Sequence, residues 1–335
     1  MAQASAMTEP ALPADPAQFR ADVVERYRPV VFPGAVRDWP LLASGDAGVL
    51  SHLREQDTGK TAEMFVSAPG VDHQYYYDEA LSGFTFARET LTVSQGLDRI
   101  IAAAKGETSE SCYLGSLPAD SHFSEVGALV PLPCVPPTVV PRMWIGNASR
   151  IACHYDTQDN IACVAVGRRR FTLYPPEAVA DIYVGPIDFT MAGQPVGLAV
   201  ESARGDDRYP RFEAIRDSAL VFELEAGDAI YVPKLWWHKV EGLDPLNVLV
   251  NFWWDSTAAG NDAPYAALLL SMIAIAERPA AERAAWRAFF DHYAFRPDGH
   301  PLGFLPESRR GILRTLGEGN YQRIRTTVMR MLRGM

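Results

Sequence analysis

Cysteine is scarce in this chain, with four in 335 residues: Cys112, Cys134, Cys153 and Cys163. No two of them make a Cys-x-x-Cys pair, and three lie in apolar, strand-like surroundings, so free buried thiols in a reducing compartment are expected. Long apolar runs are missing as well. The longest, residues 266–276, is too short to cross a bilayer. The first residues lack a basic segment followed by an apolar one, and Glu9, Asp15 and the Pro/Ala spacing predict a disordered tail over residues 1–15. Positive charge is in short supply: 31 Lys and Arg against 41 Asp and Glu leave a net charge of −10, which argues against nucleic acid as a partner. The one basic cluster, Arg323, Arg325, Arg330 and Arg333, reads as the solvated face of a helix. There is no internal repeat and no low-complexity tract. These absences point to a cytoplasmic protein without nucleic-acid or membrane partners.

What is present is the composition of a globular protein, 48% apolar and 21% charged, on a chain long enough for a large core. Residues 16–110 carry mixed signals: a short helix over 19–27, an extended segment over 29–34, and helical spacing over 93–104 with Leu97, Ile100, Ile101 and Ala104 on one face. From about 111 to 256 short β-branched and aromatic runs are separated by Gly, Pro and Asp, at 143–145, 161–166, 170–174, 219–224, 229–232 and 247–254. Many short strands punctuated in this way predict a mainly β fold, a jelly-roll (cupin, or double-stranded β-helix) core over about 111–256. N-terminal α/β elements complete a catalytic domain over 16–256, and a helical region follows over 257–335. There, residues 265–276 are apolar almost all round, as for a helix buried against the barrel or a partner chain. Pro279 opens a second helix, and residues 320–332 present Tyr321, Ile324, Val328 and Met331 on one face. The excursion over 183–217, rich in Gly, Pro and charge, is too long for a hairpin and reads as a lid or a static surface loop.

The chemistry gathers at His154-Tyr155-Asp156, answered 82 residues beyond Asp156 by His238 in Trp236-Trp237-His238. On a strand, residues i and i+2 share a face, so His154 and Asp156 can grip one ion together. A histidine from another strand completes a 2-His-1-carboxylate triad, which leaves three positions of an octahedral metal open, as in non-haem Fe(II) oxygenases. A bare His-x-Asp also occurs on ordinary surface strands. Cys153, beside His154, points to the opposite face and is not counted as a ligand.

The ensemble is wider than the triad: Trp144-Ile145-Gly146-Asn147, Asp159-Asn160, Gly167-Arg168-Arg169-Arg170-Phe171-Thr172-Leu173-Tyr174-Pro175, Gly227-Asp228, Tyr231-Val232-Pro233 and Asn251-Phe252-Trp253. It resembles the JmjC/cupin-like 2-oxoglutarate oxygenases, in particular their asparaginyl hydroxylases and the bacterial cupin-like proteins associated with tryptophan halogenases. The resemblance covers roughly residues 111–256. It implies that His154, Asp156 and His238 are the iron ligands. It further implies that Arg169 stands where those hydroxylases carry a lysine pairing with the distal carboxylate of 2-oxoglutarate, a pairing a guanidinium can make in bidentate fashion. Arg168 and Arg170 should face the other way, into solvent. Tyr113 matches a tyrosine holding the same carboxylate, though it reads equally as a core residue. Asn160 and Asn251 match asparagines at the cosubstrate's other end. One position departs: three residues before the first ligand the hydroxylases have a cosubstrate-binding threonine, and here it is Ile151. Trp236, Trp237 and Trp253 either shape a substrate pocket or simply pack.

The implied activity is hydroxylation of an unactivated C–H in a peptide, protein or small molecule, with 2-oxoglutarate converted to succinate and CO2. A non-catalytic or differently catalytic metal-binding cupin is the competing reading, which a buried basic residue beside the metal disfavours. Histone demethylation is not expected without a basic tract or reader domain. A homodimer through the C-terminal helices competes with burial of those helices within one chain.

Overall fold

The punctuated apolar runs become strands. The computed structural model of the chain describes residues 11–67, 70–257, 262–317 and 319–334, and it divides into two units, Met1–Ser256 and Thr257–Met335. In the first unit the described residues form β1 (Val30–Phe32), β2 (Thr61–Ser67), β3 (Gln74–Tyr75), β4 (Phe86–Thr92), β5 (Cys112–Pro118), β6 (Arg142–Gly146), β7 (Ser149–His154), β8 (Asp159–Val166), β9 (Arg169–Tyr174), β10 (Leu220–Leu224), β11 (Ala229–Val232), β12 (Trp237–Gly242) and β13 (Asn247–Trp254). They make two sheets, in the orders β1-β11-β8-β13-β6-β5-β2-β4 and β10-β9-β12-β7-β3. From β6 to β13 the chain passes back and forth between them, leaving β11-β8-β13-β6 in one sheet and β10-β9-β12-β7 in the other. All the pairings within these two sets are antiparallel. This interleaving is consistent with a jelly roll.

Why β8 is apolar from Ile161 to Val166 follows from its place. It is buried along its whole length, with Ala162 and Val164 packing between the sheets against Phe171, Phe222, Val240 and Leu249. Its alternate residues Ile161, Cys163 and Ala165 join a larger core on the other side, with Leu97 and Ile100. Such a strand has no solvent face and needs no polar alternation. Each Val, Leu or Ile fully withdrawn from water contributes roughly 1.5–3 kcal/mol, and this double burial sets the register. The helix Val93–Ala104, where the 3.6-residue spacing predicts one, begins at a capping box of Thr92 and Gln95 and buries Val93, Leu97, Ile100 and Ala103.

The N-terminal region departs from its reading. A single helix over 19–27 is replaced by Pro16–Asp22 and a separate 3-10 turn, Val24–Arg26, because Val23 leaves helical geometry and Tyr27 is left-handed (φ 52°). Nor is residues 11–15 a loose tail. Leu12 packs against the core and the Asp15 carboxylate accepts from Gln18 N–H as helix cap; residues 1–10 lie outside the described residues. β2, β4 and β5 extend the larger sheet, and the edge strand β4 is exposed over residues 87–90.

The four cysteines are free and buried. Burial raises each thiol's pKa, to about 12 for Cys112 and Cys134, which keeps them protonated. Cys153 sits in a cluster with Trp237, Tyr174 and Phe212, the face opposite His154.

The second unit contains the helices Pro264–Ile275, Ala280–Phe290 and Asn320–Leu332, with a π-helical turn at Asp291–Phe295. The apolar helix Pro264–Ile275, expected to be buried against the barrel or a partner chain, has no residue buried within this chain, and Ile273 is 84% exposed. Asn320, the first residue of the last helix, is buried, its amide donating to the carbonyls of Ile312 and Arg314. Among the described residues no helix is long and apolar enough to cross a membrane.

Candidate metal centre

β7 and β12 are neighbours in the smaller sheet, and their register sets His238 opposite His154. Asp156 follows two residues after His154, just past the strand end. Each of the three offers one ligand atom, and these atoms lie within 4.8 Å of one another. His238 Nε2 is 3.6 Å from Asp156 Oδ2, and the two imidazole centroids are 4.4 Å apart. The tautomers are set by the strands themselves. His154 Nδ1–H donates to the carbonyl of Ala152 (2.8 Å) and His238 Nδ1–H to that of Trp236 (2.9 Å), in each case two residues upstream. That leaves both Nε2 lone pairs directed at the cluster, as a metal ligand requires. Burial and the adjacent His154 lower the His238 pKa to about 4, so the ring is neutral. Two imidazoles and a carboxylate suit a divalent transition metal such as Fe(II).

The triad opens into a cavity of about 260 Å³ between the sheets, and Tyr113, Asn160, Arg169 and Asn251 line it too. Arg169 is the unusual member. It faces inward at the start of β9, only 6% exposed, and forms no ion pair among the described residues; its Nε has no hydrogen-bond partner. Burial alone lowers its pKa to about 10, with no carboxylate nearby to offset that. The flanking arginines face out, Arg168 pairing with Asp244 and Arg170 with Glu223. A cation left unpaired in such a place is strongly disfavoured unless an anionic ligand joins it.

Asn251 Nδ2–H donates to Asn160 Oδ1 (2.8 Å), while Asn251 Oδ1 has no partner. Tyr113 is held by rings, stacked on Phe65 at 4.7 Å and edge-on to Tyr75 at 4.7 Å. Burial raises its pKa, so the phenol stays protonated and able to donate. The tryptophans divide. Trp253 lines the cavity, whereas Trp236 packs between the sheets and Trp237 behind them.

Several wall residues went unassigned in the sequence. Trp144 belongs to the quoted motif but had no role; Ser116, Gln158, Met191 and Gln194 also line the cavity. Ser116 enters through a left-handed backbone (φ 54°) at a bulge in the β5–β6 pairing, where Arg142 donates to its carbonyl and hydroxyl. No local pattern announces such a bulge. The 183–217 segment supplies one wall from residues 191–196. It is pinned on both sides: His154 and Val196 form a β-bridge, Tyr77 and Arg88 donate to the carbonyls of Phe189 and Met191, and Phe189 stacks on Phe84. It is an anchored wall of the site.

Two largely antiparallel sheets that hold between them a 2-His-1-carboxylate cluster able to take a metal ion define a protein of the cupin class. The chain belongs to the cupin-like domain family, whose model matches residues 16–260. It is similar to the lysine-specific demethylase JMJ31 of Arabidopsis thaliana, 37% identical over 121 residues, 36% of this chain and 22% of that protein. It is similar to the human HSPB1-associated protein 1, 32% identical over 114 residues, 33% of this chain and 22% of that protein. A longer match, 22% identical over 247 residues, reaches the lysine-specific demethylase 8 of Xenopus tropicalis, covering 70% of this chain and 50% of that protein. The chain thus spans about a fifth to a half of these relatives.

Proposed function

We propose that the protein is an Fe(II)- and 2-oxoglutarate-dependent oxygenase that hydroxylates an unactivated C–H of a peptide or protein side chain or of a small molecule. The observation that carries this reading is Arg169, a buried cation without a counter-charge, in the cavity onto which the His154/Asp156/His238 cluster opens. A dicarboxylate with a metal-chelating end and a free end answers both features at once.

In this reading His154, Asp156 and His238 hold Fe(II) and leave three positions open. Bound there, iron supplies dioxygen activation coupled to decarboxylation of 2-oxoglutarate to succinate and CO2. Arg169 neutralises the far carboxylate, and Tyr113 donates its hydroxyl to it. Asn251 and Asn160, fixed to each other, orient the near end. The aromatic wall of Tyr75, Phe86, Trp144 and Trp253 limits water around the reacting centre.

Two relatives bear the name lysine-specific demethylase, which makes an N-methyl group a second candidate for the carbon oxidised. One experiment separates the outcomes. Fe(II)-loaded protein is incubated with 2-oxoglutarate and a library of peptides, methylated peptides and metabolites, with succinate and product masses recorded. Stimulated succinate with a product heavier by one oxygen marks hydroxylation; a product lighter by one CH2 marks demethylation. No succinate under any condition returns the protein to the non-catalytic or differently catalytic metal-binding cupins. We further propose that the exposed apolar residues of the C-terminal unit, among them Ile273, Phe289 and Met331, meet a second copy of the chain.

A further inference from the structure

Trp144 Nε1 is buried and has no hydrogen-bond partner among the described residues, although its side chain lines the cavity. An unmade buried hydrogen bond is costly, so an N–H in this position calls for an acceptor. Its depth in the barrel says which one. Along the smaller sheet, Leu173 lies opposite His238, Phe171 opposite Val240, and Arg169 opposite Gly242, so Arg169 is two inward-facing residues away from the metal ligand. On the other sheet, Trp144 pairs with Leu249, which is two inward residues from Trp253 along β13. These two deep ends coincide: the side chain of Asn247, at the start of β13, crowds both Gly242 and Gly167 beside Arg169. Trp144 also packs with Ile151 on the Tyr75–Tyr113 cluster, its ring 6.2 Å from that of Tyr113.

We propose that Trp144 determines cosubstrate specificity: its indole N–H donates to the far carboxylate of the 2-oxo dicarboxylate that Arg169 neutralises. It thereby supplies the donor that the hydrocarbon side chain of Ile151 cannot. This rests on the 2-oxoglutarate reading above. A carboxylate accepts at about four lone-pair sites, more than one guanidinium edge and one phenol fill.

The test uses full-length protein loaded with Zn(II), titrated calorimetrically with 2-oxoglutarate and with 2-oxopentanoate, which keeps the chelating end and lacks the far carboxylate. W144F retains an aromatic ring and loses the N–H. It is expected to bind 2-oxoglutarate on the order of ten-fold more weakly and 2-oxopentanoate as wild type does. In proton–nitrogen correlation spectra, the indole signal missing from W144F should move downfield with 2-oxoglutarate and not with 2-oxopentanoate. Should W144F fail to fold, that signal is assigned in wild type through its Overhauser contact with Tyr113. Unchanged 2-oxoglutarate affinity in W144F, an equal loss for both ligands, or an unmoved signal overturns the role of Trp144 and leaves the 2-oxoglutarate reading standing. Wild-type protein that does not prefer the dicarboxylate overturns both.

Discussion

At the scale of single residues, the site gathers polar groups that find no partner within the protein among the described residues. His154 and His238 spend their Nδ1 hydrogens on their own strands, so their Nε2 atoms have no duty but a ligand's. The variant His154→Ala/His238→Ala should therefore abolish stoichiometric binding of Fe(II), or of Mn(II) as an inert stand-in, measured by metal analysis after desalting. Retained stoichiometric metal would move the centre elsewhere. For Arg169 the cleaner change is to Met, which keeps bulk and removes charge. Losing the charge partner of a desolvated carboxylate should weaken 2-oxoglutarate binding by about 2–5 kcal/mol. Calorimetry on the metal-loaded protein checks this, and an unchanged affinity would shift the carboxylate site, with Arg142 the next guanidinium to test.

At the scale of elements, the turn before β9 and the 183–217 segment carry most of the positioning. Gly167 is left-handed (φ 74°), and a Cβ there would lie 2.3 Å from the carbonyl oxygen of Leu246 and 2.8 Å from Asn247 Oδ1. Gly167→Ala should destabilise the protein by about 1–3 kcal/mol and, because Arg169 follows two residues later, weaken 2-oxoglutarate binding as well. Thermal melts and the same titration read the two effects separately. In the 183–217 segment, Phe212 is fully buried and Tyr183 meets Tyr209 edge to face, while Gly193-Gln194-Pro195 forms the tip beside the cavity. Replacing that tip with a Gly/Ser linker should spare metal and 2-oxoglutarate binding. It should uncouple the reaction, so that succinate exceeds hydroxylated product. Intact coupling would mean that the substrate is gripped elsewhere on the wall.

At the scale of the whole molecule, the question is what covers the apolar side chains of the C-terminal unit. Ile273, Phe295, Phe304 and Met331 are between 72% and 84% exposed, and large exposed apolar surfaces mark interaction sites. A homodimer predicts twice the chain mass by light scattering at micromolar concentration, and Ile273→Asp should shift the species toward monomer. A monomeric mass for the unmodified protein would refute the dimer.

Much of the fold was legible in the sequence because its cues are local. Short apolar runs ended by Gly, Pro and Asp marked β6, β8–β11 and β13 but not β12, and the i, i+2 rule put His154 and Asp156 on one face, although Asp156 lies just past the end of β7. Less legible were β4, whose charged residues belong to an edge, and the bulge that turns Ser116 inward. What only the tertiary structure decided is which side chains lack partners. Alternation along the strand already set Arg169 apart from Arg168 and Arg170, but only the packing shows that those two meet carboxylates while Arg169, in the cavity, meets none among the described residues. The unpaired N–H of Trp144 is likewise a property of two sheets facing each other. Hydrogen-bond satisfaction depends on every neighbour in space, and neighbours brought together from β5, β6, β7, β9 and β13 are not written in any one stretch of chain.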